Sequence, residues 1–125
     1  MLRIGFIRTV CVFLMLVFCG SSIASESLER RASKAFSRIG VGAEQAEMYS
    51  LEFEKFLKRR NSNVRRVLNK AFGEEVPVKA RKAADRAARW SVKRMKKVLQ
   101  EDQIPYYEEY LGLSNRVFLR EAGLR

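Results

Sequence analysis

Apolar residues along this chain return every three or four positions, and the runs that keep that rhythm predict helices. Between Ser27 and Ile39, Leu28, Ala32, Ala35 or Phe36, and Ile39 recur at helical spacing. The stretch reads as a short, weakly amphipathic helix or as a loose N-terminal segment, and Gly40-Val41-Gly42 ends it. A stronger stripe follows from about Ala43 to Phe72, carried by Ala46, Tyr49, Phe53, Phe56/Leu57, Val64, Val67/Leu68 and Ala71/Phe72. Arg60 interrupts that stripe, and Asn61-Ser62-Asn63 are poor helix formers, so a kink or a junction of two helices is expected there. Gly73 is a C-terminal stop, and Pro77 reinforces the break.

From Val78 to Leu99 the pattern is clearest. Ala80, Ala84, Ala87, Ser91, Met95 and Val98 form one face, and Lys79, Lys82, Arg86, Arg89, Lys93 and Lys96 form the opposite one. Alanine, lysine and arginine all favour helix, and a face of small residues lets a neighbouring helix approach closely. Pro105 is tolerated only in a first helical turn, which places the next helix start near Glu101 or Ile104. Gly112 is expected to close that helix, and Ser114 to cap a last short one over Asn115–Ala122. No segment alternates with period two between hairpin turns. The chain is predicted to be all-α, a small helical hairpin or bundle of about four helices forming a single domain over residues 25–125.

The first 24 residues have a different character. Arg3 and Arg8 precede an apolar run from Thr9 to Phe18, and small residues follow, with Ser22 and Ala24 at the spacing of a signal-peptidase site. This is the layout of a secretory signal peptide cleaved after Ala24. An uncleaved membrane anchor is the lesser alternative, because the run falls short of the about 20 residues a span needs. Cys11 and Cys19 lie in the leader, so the exported chain would hold no thiol, and the sequence has no histidine. Its location would be periplasmic or secreted.

Charge changes the picture further. The chain carries 25 Lys and Arg against 14 Asp and Glu, a net charge of +11, and +9 without Arg3 and Arg8. Lys55 to Lys97 holds 16 basic and 3 acidic residues, whereas the flanks on either side are each net −2. If the two long helical segments pack antiparallel, Lys55, Lys58, Arg59, Arg65, Arg66 and Lys70 join the stripe of Lys79, Lys82, Arg86, Arg89, Lys93 and Lys96 in one positive surface. Such a surface attracts acidic or unfolded protein segments, phosphate-rich polymers or anionic lipid head groups. Nucleic acid is disfavoured, since an exported protein meets little of it. Trp90 is read as a packing residue at the edge of the apolar face. Tyr106 and Tyr110, four apart, share a face expected to pack on Phe118 and the long helices.

Catalysis finds no purchase: there is no histidine, no thiol outside the leader, no glycine-rich phosphate loop and no nucleophile elbow. The pairs Glu52/Glu54, Glu74/Glu75 and Glu108/Glu109 sit too close in sequence to share a helix face and read as solvated surface. No catalytic, cofactor-binding or metal-binding residue is expected.

Two windows resemble each other. Val41-Gly42-Ala43-Glu44-Gln45 and Leu99-Gln100-Glu101-Asp102-Gln103 share the order apolar, x, x, acidic, Gln. They resemble degenerate copies of the Leu-Thr-x-x-Gln signature of the Spy/CpxP family of periplasmic helical proteins. In that signature the threonine and the glutamine three residues later form a capping box. Here Gly42 and Gln100 replace the threonine, and the second copy is expected to lack the reciprocal hydrogen bonds. The resemblance implies a hairpin-based four-helix fold, often a cradle-shaped homodimer, and ATP-independent chaperones or regulators of envelope-stress sensing, some linked to metal stress. Val41, Gln45, Leu99 and Gln103 would be structural, and the basic residues would serve a client-binding face. The reading from the residues is a non-enzymatic periplasmic binder of acidic or unfolded protein partners. A peripheral binder of anionic envelope polymers or lipids, and a structural or adaptor subunit, are the alternatives.

Overall fold

The computed structural model describes residues 26–124. Within them lie four α-helices: α1 (Leu28–Ile39), α2 (Ala46–Lys70), α3 (Glu75–Met95) and α4 (Ile104–Glu121), the last preceded by a 3-10 turn, Glu101–Gln103. The described residues contain no strand, as the periodicity requires. The expected leader, residues 1–24, lies outside them. No helix among them is long and apolar enough to cross a membrane.

Helix α1 starts where Ser27 accepts a hydrogen bond from the Arg30 N–H at 3.2 Å, an N-cap. It ends at Gly40, whose φ of +67° only glycine adopts without strain. It is a helix capped at both ends and lying along α4. Ion pairs Arg38–Glu109 and Arg120–Glu29 fasten the two at either end.

Helix α2 runs through Asn61–Asn63 without a break, so no junction of two helices falls there. Asn61 and Ser62 are exposed and forfeit only a few tenths of a kcal/mol each in propensity, roughly. Packing on both sides outweighs that loss. Arg60, which interrupts the apolar stripe in sequence, is itself buried. Its guanidinium donates to Ser114 Oγ at 3.1 Å and Asn115 Oδ1 at 3.3 Å and lies 4.1 Å over the Phe118 ring. The break falls at residues 71–74, where Gly73 has φ +64°. Pro77 does not mark it but sits inside the first turn of α3, where its missing N–H has no intrahelical role.

Helix α3 packs antiparallel on α2, and its small residues do what their spacing predicts: Ala80, Ala84, Ala87, Ser91 and Met95 are all buried. Helix α4 corrects another expectation. It continues through Gly112, which neither ends a helix nor adopts positive φ. Leu111, Leu113, Asn115 and Leu119 are buried on both sides of it, and Asn115 Nδ2 donates to the Ala84 carbonyl at 3.1 Å. Ser114 is not a cap but the acceptor for Arg60.

Pair α2–α3 thus stacks on pair α1–α4, with α3 also against α4. The larger core cluster joins Ile39, Tyr49, Phe56, Met95, Ile104, Tyr107 and Leu111; a smaller one around Val64, Ala80, Ala84 and Leu119 lies toward the α2–α3 turn. Edge and stacked ring contacts link Phe36, Tyr49, Phe53, Tyr107 and Tyr110 across α1, α2 and α4.

Candidate functional site

The turns before α2 and before α4 meet through their glutamines. Gln45 Nε2 donates to Gln103 Oε1 at 2.8 Å, and Gln103 Nε2 donates to Gln45 Oε1 at 3.1 Å. Each amide also closes its own turn: Gln45 Oε1 accepts from Gly42 N at 2.9 Å, and Gln103 Oε1 accepts from Gln100 N at 2.8 Å. Each then reaches the backbone of the opposite turn. Gln45 Nε2 donates to the Val98 carbonyl at 3.3 Å; Gln103 Nε2 donates to those of Gly40 at 3.0 Å and Ile39 at 3.1 Å. The pattern repeats under an offset of 58 residues, which also carries Val41 to Leu99 and Tyr49 to Tyr107. A local two-fold relation therefore runs between the turns. The second copy closes a capping box, contrary to expectation: Gln103 Oε1 accepts from the Gln100 backbone N–H, and the Gln100 side chain takes the threonine's place toward the Gln103 backbone N–H. The matched tyrosines were a sequence signal four residues beyond each window, unused in the reading above.

Below this clamp Glu52, expected to be solvated, is 7 % exposed. Arg94 holds it bidentately, Nε to Oε2 at 2.8 Å and Nη2 to Oε1 at 3.1 Å, and Lys55 adds a contact at 3.3 Å. These donors, Arg94 foremost, hold the Glu52 carboxyl below its ordinary pKa against the opposing effect of desolvation. Arg94 in turn lies 5.0 Å from the Trp90 ring centroid, and Arg59 of α2 lies 4.4 Å from it. Trp90 is half-buried and belongs to neither core cluster; a guanidinium of each helix lies on its ring.

Arg59 also lines a basic groove. This groove of about 530 Å³ between α2 and α3 is lined by Arg59, Arg66 and Lys70 on one side and Lys79 and Arg86 on the other, over Val67 and Ala83. No carboxylate lines it. Lys79 contacts Glu75 at 3.2 Å, but no described carboxylate lies within ion-pair distance of Arg66, Lys70 or Arg86. Antiparallel packing brings the cations together because residues 59, 66 and 70 descend one flank of α2 while 79 and 86 climb the facing flank of α3.

The expected basic face is therefore divided. Lys79, Lys82, Arg86, Arg89, Lys93, Lys96, Arg65 and Arg66 are all exposed. Of these, Lys79, Arg86 and Arg66 share the α2–α3 groove. Arg89, Lys93 and Lys96 line a second groove, between α3 and α4, in company with Asp85 and Glu108. Lys82 and Arg65 line neither. Arg60 is withdrawn into the core, and Arg94, still partly exposed, is paired with Glu52. Burial lowers the Arg60 guanidinium to about 10.

The tyrosines also sort differently from their sequence pairing. Tyr107, not Tyr106, is fully buried, its hydroxyl 2.6 Å from Ser91 Oγ. Tyr110 packs among Phe36 and Phe53 rather than on Phe118, and Tyr106 is exposed. Comparison with protein-family models, with curated proteins and with solved structures gives no significant match.

Proposed function

We propose that this is a non-enzymatic, chaperone-like helical protein of the bacterial envelope that engages acidic or unfolded protein segments through the α2–α3 groove. One observation carries the reading: five cations line a single groove that contains no carboxylate. Like charges held together cost stability, and an acidic segment laid between the helices offsets that cost. Membership of the Spy/CpxP type is part of the proposal; what supports it is the reciprocal pairing of the two glutamine turns. Export is the other part, supported by the three-part leader and its Ser22-x-Ala24 ending. Amino-terminal sequencing of the protein from an envelope fraction checks it; a mature chain beginning at Ser25 is expected, and a cytosolic protein retaining Met1 would refute it.

Binding is tested with a fluorescent acidic peptide and with an unfolding client whose aggregation is followed by light scattering. The double reversal Arg66→Glu with Arg86→Glu is expected to weaken peptide binding on the order of tenfold or more, from roughly 1 kcal/mol per reversed contact. Unchanged affinity would remove the groove from the function. Salt separates the anionic-polymer alternative: binding to a phosphate-rich polymer falls steeply and linearly on logarithmic axes, while client capture with an apolar contribution persists. A client that aggregates equally fast at equimolar protein removes the chaperone-like part of the reading.

A further inference from the structure

The turn joining α2 to α3 carries Phe72 at 83 % exposure, far above the other large apolar side chains left in water. Leu68, one turn down α2, is 49 % exposed, and Val78, one turn into α3, is 44 % exposed. All three lie within about one helical turn of the α2–α3 connection. Burying a phenylalanine is worth about 1.5–3 kcal/mol, yet no described ring or core residue takes Phe72 up. The same end is heavily charged. Residues 65–82 hold six cations, Arg65, Arg66, Lys70, Lys79, Arg81 and Lys82, against Glu74 and Glu75, and Lys79 already occupies Glu75.

We infer that this hairpin end docks on an anionic lipid bilayer, with Phe72, Leu68 and Val78 entering the interface and the surrounding cations lying at the level of the phosphates. A protruding aromatic on a tight turn is convex, so it suits a deformable medium better than a preformed pocket. The charge excess selects an anionic one, since each Lys or Arg near such a surface contributes about 1 kcal/mol. A second copy of the chain would set six cations against six. Apolar insertion and basic attraction together supply the two signals that stable peripheral binding requires. Arg66, Lys70 and Lys79 also line the groove, whereas Phe72, Arg65, Arg81 and Lys82 do not, and these four carry the inference whatever occupies the groove.

The test places a reporter at the turn. The full chain with Phe72→Trp is titrated with phosphatidylcholine vesicles, with and without phosphatidylglycerol, and the spectrum of the unaltered chain, containing Trp90, is subtracted. The expected result is a blue shift and protection from acrylamide on the anionic vesicles alone. Because the signal comes from position 72, it reports insertion there whichever other segment touches the lipid. Phe72→Ser should weaken binding to anionic vesicles on the order of tenfold. Arg65→Glu with Lys82→Glu, both outside the groove, should abolish the shift while leaving acidic-peptide binding unchanged. A residue-72 tryptophan as quenchable on anionic vesicles as in buffer overturns the inference. So does a blue shift that grows with protein concentration in buffer, which would mean a second copy covers the turn.

Discussion

Removing one glutamine of the clamp should cost more than any surface substitution. In Gln103→Ala the chain loses the two bonds exchanged with Gln45, those donated to the Ile39 and Gly40 carbonyls, and the one accepted from Gln100 N. Gly40 and Gln100 are exposed and recover water, which leaves three partly buried bonds. At about 0.5–1.5 kcal/mol net each, the loss is roughly 2–4 kcal/mol, a large share of the about 5–15 kcal/mol available to a domain of this size. The melting temperature should fall by roughly 10–25 °C. Gln45→Ala should behave similarly, since its amide serves Gly42, Val98 and Gln103. The decisive quantity is the coupling. Because both single variants forfeit the same two exchanged bonds, the double variant should be more stable than the sum predicts by about 1–2 kcal/mol. Urea unfolding followed by far-ultraviolet circular dichroism measures all three. Coupling below about 0.5 kcal/mol, the scatter of independent sites, would refute the reciprocal pairing.

Three further outcomes are expected. Gly112→Ala should stabilise α4 by about 0.5–1 kcal/mol, because an added Cβ meets nothing within 4 Å; a loss in thermal unfolding would place a helix end there after all. Tyr49→Phe should be neutral or stabilising, since its buried hydroxyl has no partner, whereas Tyr107→Phe should cost about 1 kcal/mol by stranding Ser91 Oγ. Burial raises the pKa of both tyrosines above the ordinary 10.0, so their contribution is complete below pH 10 and declines above it as the unfolded chain ionises first; replacing both should flatten the alkaline limb of the stability profile. Glu52 has the opposite sign: its folded pKa lies below the ordinary 4.5, so its contribution is present above about that pH and lost on acidification. Glu52→Gln should therefore destabilise the protein at pH 7, by about 1 kcal/mol, and show a shallower decline below pH 4.5 in acid titrations.

The helices were legible because burial follows a single period: the alanine face of α3 lands in the core position by position. What was misread was read from residue type alone. A charged Arg60 in an apolar stripe signals an interruption locally, but its partners Ser114 and Asn115 lie 54 and 55 residues away, beyond any local pattern. Glu52 looked solvated for the same reason, with Arg94 42 residues distant. Gly112 and Asn61–Asn63 are weak breakers whose cost is under about 1 kcal/mol each, so packing on either side overrides them. The candidate groove was half visible. The cations and the antiparallel condition could be stated, but not which flank each residue takes; Arg89, Lys93 and Lys96 fall on the far flank of α3, where Asp85 and Glu108 moderate them.

Helix α1 is joined to its neighbour in sequence, α2, less extensively than to α4, at the other end of the described chain. Arg38 meets Glu109 across 71 residues. The main packing surface of α1 is therefore supplied from the far end of the described chain. Distant contacts of this kind slow folding relative to simple up-and-down bundles. In a growing chain the α2–α3 hairpin is complete in sequence before α4, whereas α1 meets its main partner only once α4 has been made.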